Sequence, residues 1–97
     1  MKVNFLGYES EIRIGKYKTE DQTSISLIDT EDGEPVAIAT VCIPKVKVNP
    51  GEVIIKDYSE NEGILDVLIE AGVISEPKRY IKTGYINCSV CDLLISN

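Results

Sequence analysis

Apolar and polar positions alternate over residues 8–14, with Tyr8, Ser10, Ile12 and Ile14 on one face and Glu9, Glu11 and Arg13 on the other. That two-residue period predicts a half-buried strand. A short strand at 2–6 precedes it and breaks at Gly7. Residues 15–22 are polar and charged and predict a loop; the next strand, at 23–30, turns Ile25 and Leu27 inward. Asp32-Gly33 then marks a tight hairpin turn, because this pair readily adopts positive φ. The run 35–43 is apolar on both faces, which predicts a central strand ended by Pro44. Lys45-Val46-Lys47-Val48 alternates like an edge strand whose lysines discourage edge-to-edge pairing. After the turn Asn49-Pro50-Gly51, residues 52–57 form a further strand, with Val53 and Ile55 on one face and Ile54 and Lys56 on the other.

The period changes at residue 59. Ser59 and Glu62 have the spacing of a capping box, and Gly72 supplies the left-handed turn that stops a helix. Ile64, Leu68 and Ala71, widened by Leu65 and Ile69, form the stripe that packs on the sheet. Glu62, Asp66 and Glu70 fall at i, i+4 and i+8 and predict an acidic line on the outer face. Residues 75–79 are a polar connection, 80–82 a short strand, and 85 to about 95 the last strand. The expected fold is α+β: a mostly antiparallel sheet of about five to seven strands against one principal helix at about 59–71, in a single domain spanning 1–97.

Composition then excludes several chemistries. The chain has 97 residues, 43% of them hydrophobic, and no histidine or tryptophan. Without histidine, a triad hydrolase lacks its usual base and a metal lacks its commonest ligand. Cys88-Ser89-Val90-Cys91 has the C-x-x-C spacing, with Cys42 as a third thiol. On a strand, however, three steps separate the two cysteines by about 10 Å and point them to opposite faces. They are therefore expected to be buried structural thiols, with no metal, no mutual disulfide and no cofactor. No apolar run approaches the roughly 20 residues that cross a bilayer, and the start carries no secretory apolar stretch. A cytoplasmic protein that does not bind membranes is the expectation.

The net charge of −6, from 16 acidic against 10 basic residues, repels nucleic acid, whose binding draws on Lys and Arg. Lys45/Lys47 and Lys78/Arg79/Lys82 are the local cationic clusters and are expected to coat solvated turns.

Two segments carry a resemblance: Glu31-Asp32-Gly33-Glu34-Pro35 leading into 36–44, and Ile55-Lys56-Asp57-Tyr58-Ser59-Glu60-Asn61-Glu62-Gly63 leading through Leu65 and Leu68 to Ala71-Gly72-Val73. Over roughly residues 20–95 the chain resembles a family of small uncharacterised bacterial proteins carried on phages, plasmids and conjugative elements. The resemblance implies a mobile-element accessory protein and brings no catalytic residues with it. Small acidic proteins of that setting are often inhibitors of host defence nucleases.

The leading expectation is therefore a non-enzymatic binding module that meets a partner protein with a basic surface, such as a nucleic-acid-binding nuclease. Its candidate partner-binding residues are Glu62, Asp66 and Glu70 on the helix and Asp29, Glu31, Asp32 and Glu34 around the hairpin. A second reading is a structural protein that forms a homodimer or higher oligomer through an edge strand, at 2–6 or 85–95. A third is a small carboxylate-dependent enzyme assisted by Tyr58, Tyr80 or Tyr85, although no spacing singles out a pair.

Overall fold

The computed structural model describes residues 1–18 and 21–95. Seven strands and one short helix are arranged as two antiparallel sheets: β1 (Lys2–Phe5), β2 (Tyr8–Lys16), β3 (Thr23–Asp29) and β4 (Pro35–Ile38) in one, and β5 (Glu52–Ile55), β6 (Arg79–Thr83) and β7 (Ile86–Asp92) in the other, with α1 (Ile64–Glu70) between β5 and β6 in the chain. The first sheet is a meander in the order β1-β2-β3-β4; the second has the order β5-β7-β6.

The alternation in β2 and β3 does what it predicts. Ile12, Ile25 and Leu27 are buried, and the register pairs Ile12 with Leu27 and Ile14 with Ile25. β2 runs on to Lys16, so the loop begins later than residue 15; residues 19 and 20 of the expected loop lie outside the described residues. Between β1 and β2 the chain turns on Leu6 and Gly7, with φ of 54° and 84°. Two positive φ values in a two-residue loop give a type I′ turn, whose twist matches the strands it joins. The β3–β4 connection is longer than the tight turn expected. It spans 30–34, with Gly33 at φ 75° and its N–H bonded to Asp29 O at 3.0 Å.

The stretch 35–43 is not a central strand. β4 ends at Ile38 and lies at the edge of the first sheet; the chain then crosses to the second, where Thr40 bridges Ile55. Its apolar residues serve two different cores. Ala39 joins Val3, Phe5, Val53, Ile55, Ile64 and Leu68 in the main cluster between the sheets and the helix, whereas Val41, Ile43, Val46 and Val48 cover Ile54, Cys88 and Val90 on the outer face of the second sheet. Residues 45–48 are consequently a covering loop instead of an edge strand. Gln22 holds it: its buried amide donates to Ile43 O and Val46 O, both at 2.9 Å, and accepts from Ile43 N.

The helix is shorter than expected. Ser59–Asn61 is a 3-10 turn, Gly63 takes φ 95°, and α1 begins only at Ile64. Ser59 has φ 58° and Tyr58, not Ser59, stands at the start of the 3-10 turn, so the Ser59/Glu62 capping box does not form. Asp57 does that work instead: its Oδ1 accepts from Gly63 N and Leu65 N, both at 3.0 Å, satisfying donors the first turn would leave free. The far end is as expected. Gly72 N bonds Ile69 O and Val73 N bonds Leu68 O, with Gly72 at φ 76°, which is a full Schellman stop. Ile64 and Leu68 are buried.

Strand β7, expected among the candidate edges, is the middle strand of its sheet. It cannot offer an edge to a second copy. Its Cys88 joins the outer cluster and Cys91 the main one, as alternation along a strand requires. No helix among the described residues is long and apolar enough to cross a membrane.

Candidate functional site

The two loops at one end of the first sheet build the most distinctive surface. Strand register brings them together: Phe5 pairs with Tyr8, Asn4 with Glu9, and Ser10 with Asp29, so the Leu6-Gly7 turn and the 30–34 loop project from the same end. The long loop is organised by its own acids. Asp29 Oδ1 accepts from Glu31 N at 2.8 Å and Asp32 Oδ1 from Glu34 N at 2.9 Å, the Asx pattern that replaces regular backbone pairing in turns. Thr30 ties the loop to β2, its hydroxyl donating to Glu9 Oε1 at 3.0 Å and its N–H to Glu9 O at 3.1 Å.

Two hollows adjoin there. One of about 330 Å³ is lined by Asn4, Gly7, Tyr8, Glu9, Asp29, Thr30 and Glu31; the other, of about 260 Å³, by Leu6, Tyr8, Asp29, Asp32, Glu34, Pro35 and Val36. Tyr8 and Asp29 are shared walls. Among the described residues no lysine or arginine lines either hollow; Tyr8, 53% exposed, lines both, and Leu6, 64% exposed, lines the second. Asp29, Glu31, Asp32 and Glu34 are thus brought together as the sequence suggested, with different roles: the two aspartates shape the loop, while Glu31 and Glu34 stand exposed on it. Glu9, Leu6 and Tyr8 were missed. The alternation placed Tyr8 on the inward face, but β2 starts there, beyond the edge of the core. Leu-Gly where a type I′ turn favours Asn-Gly was the available signal.

The helix acids are not part of this surface. Asp66 and Glu70 are exposed on α1, and Glu62 precedes the helix, so the expected line of three does not run along one helical face. Neither hollow includes any of them.

Lys78 and Arg79, expected to coat a solvated turn, are instead structural. Arg79 Nη1 and Nη2 donate to the two oxygens of Glu52 at 2.8 Å each, and Lys78 Nζ bonds Glu52 Oε2 at 2.8 Å and Asp92 Oδ1 at 3.1 Å. Glu52, buried at the start of β5, also accepts from Asn49 N at 2.8 Å. Bonds from Arg79, Lys78 and Asn49 outweigh its desolvation and hold the Glu52 carboxyl far below the ordinary carboxylate range. Arg79 and Lys78 are correspondingly pushed up, chiefly by the bond to Glu52.

Of the tyrosines, Tyr58 packs beside the outer cluster with the Lys56 ammonium 5.7 Å from its ring centre, and Tyr80 and Tyr85 are exposed on the β6–β7 hairpin. A third hollow, of about 410 Å³, is lined by Tyr17, Ile38, Thr40, Val41, Cys42, Lys56, Tyr58 and Glu60. Its charges are mutually engaged: Lys56 Nζ lies 2.6 Å from Glu60 Oε2 and lowers that carboxyl to about 2. No protein-family model, no curated protein and no solved structure matches the chain.

Proposed function

We propose that this chain is a small acidic binding module that recognises a basic segment of a partner protein with the end of its first sheet. The observation carrying this reading is the pair of adjoining hollows lined by five acids, Glu9, Asp29, Glu31, Asp32 and Glu34, together with the exposed apolar side chains of Leu6 and Tyr8. Exposed apolar surface supplies affinity, and neighbouring charges of one sign select a partner of the other and speed encounter. Leu6 supports the reading further. A leucine at positive φ costs roughly 1–2 kcal/mol, and an exposed one gains nothing from the core in return, as at positions where strain serves recognition. The resemblance to mobile-element proteins makes a host defence nuclease, whose nucleic-acid site is basic, the partner of choice, met in the cytoplasm.

The experiment is capture from host extract on immobilised chain, run beside the Glu31→Lys, Glu34→Lys double variant and over rising salt. A basic protein retained by the native chain, lost from the variant and released by salt, whose nuclease activity falls when the native chain is added, is the expected result. A partner retained equally by both chains would count against this surface.

A further inference from the structure

Among the described residues four strands border the two sheets, and two of them, β4 and β5, are bonded on their free side. The Ile38 carbonyl of β4 accepts from the buried Asn61 amide at 2.6 Å; β5 is bridged by Thr40, with Val41 N bonded to Ile54 O at 3.1 Å; β1 has α1 beside it. β6 differs: it pairs with β7 over Arg79–Thr83, and among the described residues no strand or bridge pairs with its other side. Tyr80, Tyr85 and Ile86 are exposed along this hairpin, where an open row of backbone donors and acceptors is a template for another strand.

We propose that β6 is a homodimerisation edge, on which two copies of the chain pair antiparallel about Ile81. The register of the hairpin decides which groups are on offer. Thr83 pairs with Ile86 across the two-residue Gly84-Tyr85 turn, and such a turn closes on a bonded pair. By the alternation of antiparallel ladders, Ile81 also bonds to β7, while the N–H and C=O of Tyr80 and Lys82 point away from it. Pairing about Ile81 sets Tyr80 opposite Lys82 of the second copy, and Lys82 opposite its Tyr80, so the outward groups of both strands meet. It also sets Arg79 opposite Thr83.

Side chains favour the same register. Each lysine ammonium meets a tyrosine ring, a cation–π pair, and not another lysine. The remaining nearby cations do not oppose association, because Lys78 and Arg79 are neutralised within each chain by Glu52 and Asp92. The two-fold symmetry makes the interface closed, giving a dimer and no filament.

Sedimentation velocity over a concentration series up to the millimolar range tests this, combined with amide hydrogen exchange. The native chain is expected to approach twice the mass of one chain as concentration rises, with the Tyr80 and Lys82 amides gaining protection in step. Tyr80→Lys, which sets lysine against lysine, should stay monomeric, whereas Tyr80→Glu should still dimerise. Lys82→Pro removes an outward N–H while sparing those bonded to β7, a position where an edge strand tolerates proline, and should also stay monomeric. Circular dichroism identifies a variant that fails to fold, and the Tyr80 pair then decides alone. A native chain that remains monomeric throughout, or a dimer that survives Tyr80→Lys, would overturn the proposal.

Discussion

Arg79 grips the carboxylate of Glu52 through two bonds of 2.8 Å, reaching over β7 from one border of the second sheet to the other. Strand register explains how: Arg79 pairs with Val90 and Glu52 with Asp92, so both side chains rise from the same face. Two-pronged arginine–carboxylate geometry fixes position as well as charge. Here it locks β5 and β6 to the strand between them.

This clasp sets a pH dependence. Because the Glu52 pKa is lowered on folding from its ordinary 4.5, its stabilisation is fully present above about pH 4.5 and is lost as pH falls toward the depressed folded value. Glu52→Gln should cost about 1–3 kcal/mol at pH 7, the range for charge-assisted bonds to partners that are partly screened by water. The gap between native and variant in urea melts should narrow steadily below pH 4.5. A gap unchanged down to pH 3 would show that the carboxylate charge is not what stabilises.

Leu68 is buried where α1 meets the sheets, and Glu70 is exposed two residues on. Leu68→Ala should therefore destabilise by about 2–5 kcal/mol, and Glu70→Ala by less than about 0.5 kcal/mol. Denaturant melts that find equal costs would contradict the facing of the helix.

Leu6→Asn should raise stability, by about 1 kcal/mol, since asparagine tolerates the left-handed conformation that Leu6 adopts at φ 54°. The same change should weaken partner binding by removing an exposed apolar side chain from the lining of the second hollow. Thermal melts and binding isotherms moving in opposite directions would be the signature of a residue kept for recognition; a variant that loses both would place Leu6 among the structural residues.

The three thiols should differ in reactivity. Burial pushes Cys88 up and, joined by Glu76 and Asp92, raises Cys91 to about 11, so little thiolate exists there at neutral pH. Cys42 is half-buried. Alkylation of the native chain followed by peptide mass mapping should label Cys42 first, and purified protein should carry no zinc on Cys88 and Cys91. Early labelling of Cys88 would contradict its place under the 41–48 loop.

Local signals carried far along the chain. The alternation in β2 and β3 and the Ala71-Gly72 stop involve neighbours in sequence, and sequence reading found them. Long-range relations were invisible to it. Nothing near Glu52 announces that Arg79, 27 positions away, will meet it, and the apolar run 35–43 reads as one buried strand although its residues enter two cores. Asp57 takes the place of Ser59 as the helix cap, accepting from Gly63 N and Leu65 N six and eight positions on, where Ser59 and Gly63 both take positive φ. At the candidate site, the acids of 29–34 were legible as a charged turn. Glu9, Leu6 and Tyr8 join them only through the pairing of β1, β2 and β3.

Titration calorimetry with the captured partner separates the two acidic surfaces most directly. Glu31→Lys with Glu34→Lys is compared with Asp66→Lys with Glu70→Lys, all four positions being exposed. The end-of-sheet reading predicts that the first pair abolishes binding and that the second leaves the affinity within a few-fold of the native chain. Loss of binding in the helix pair with full affinity in the loop pair would contradict it and place the interface on α1.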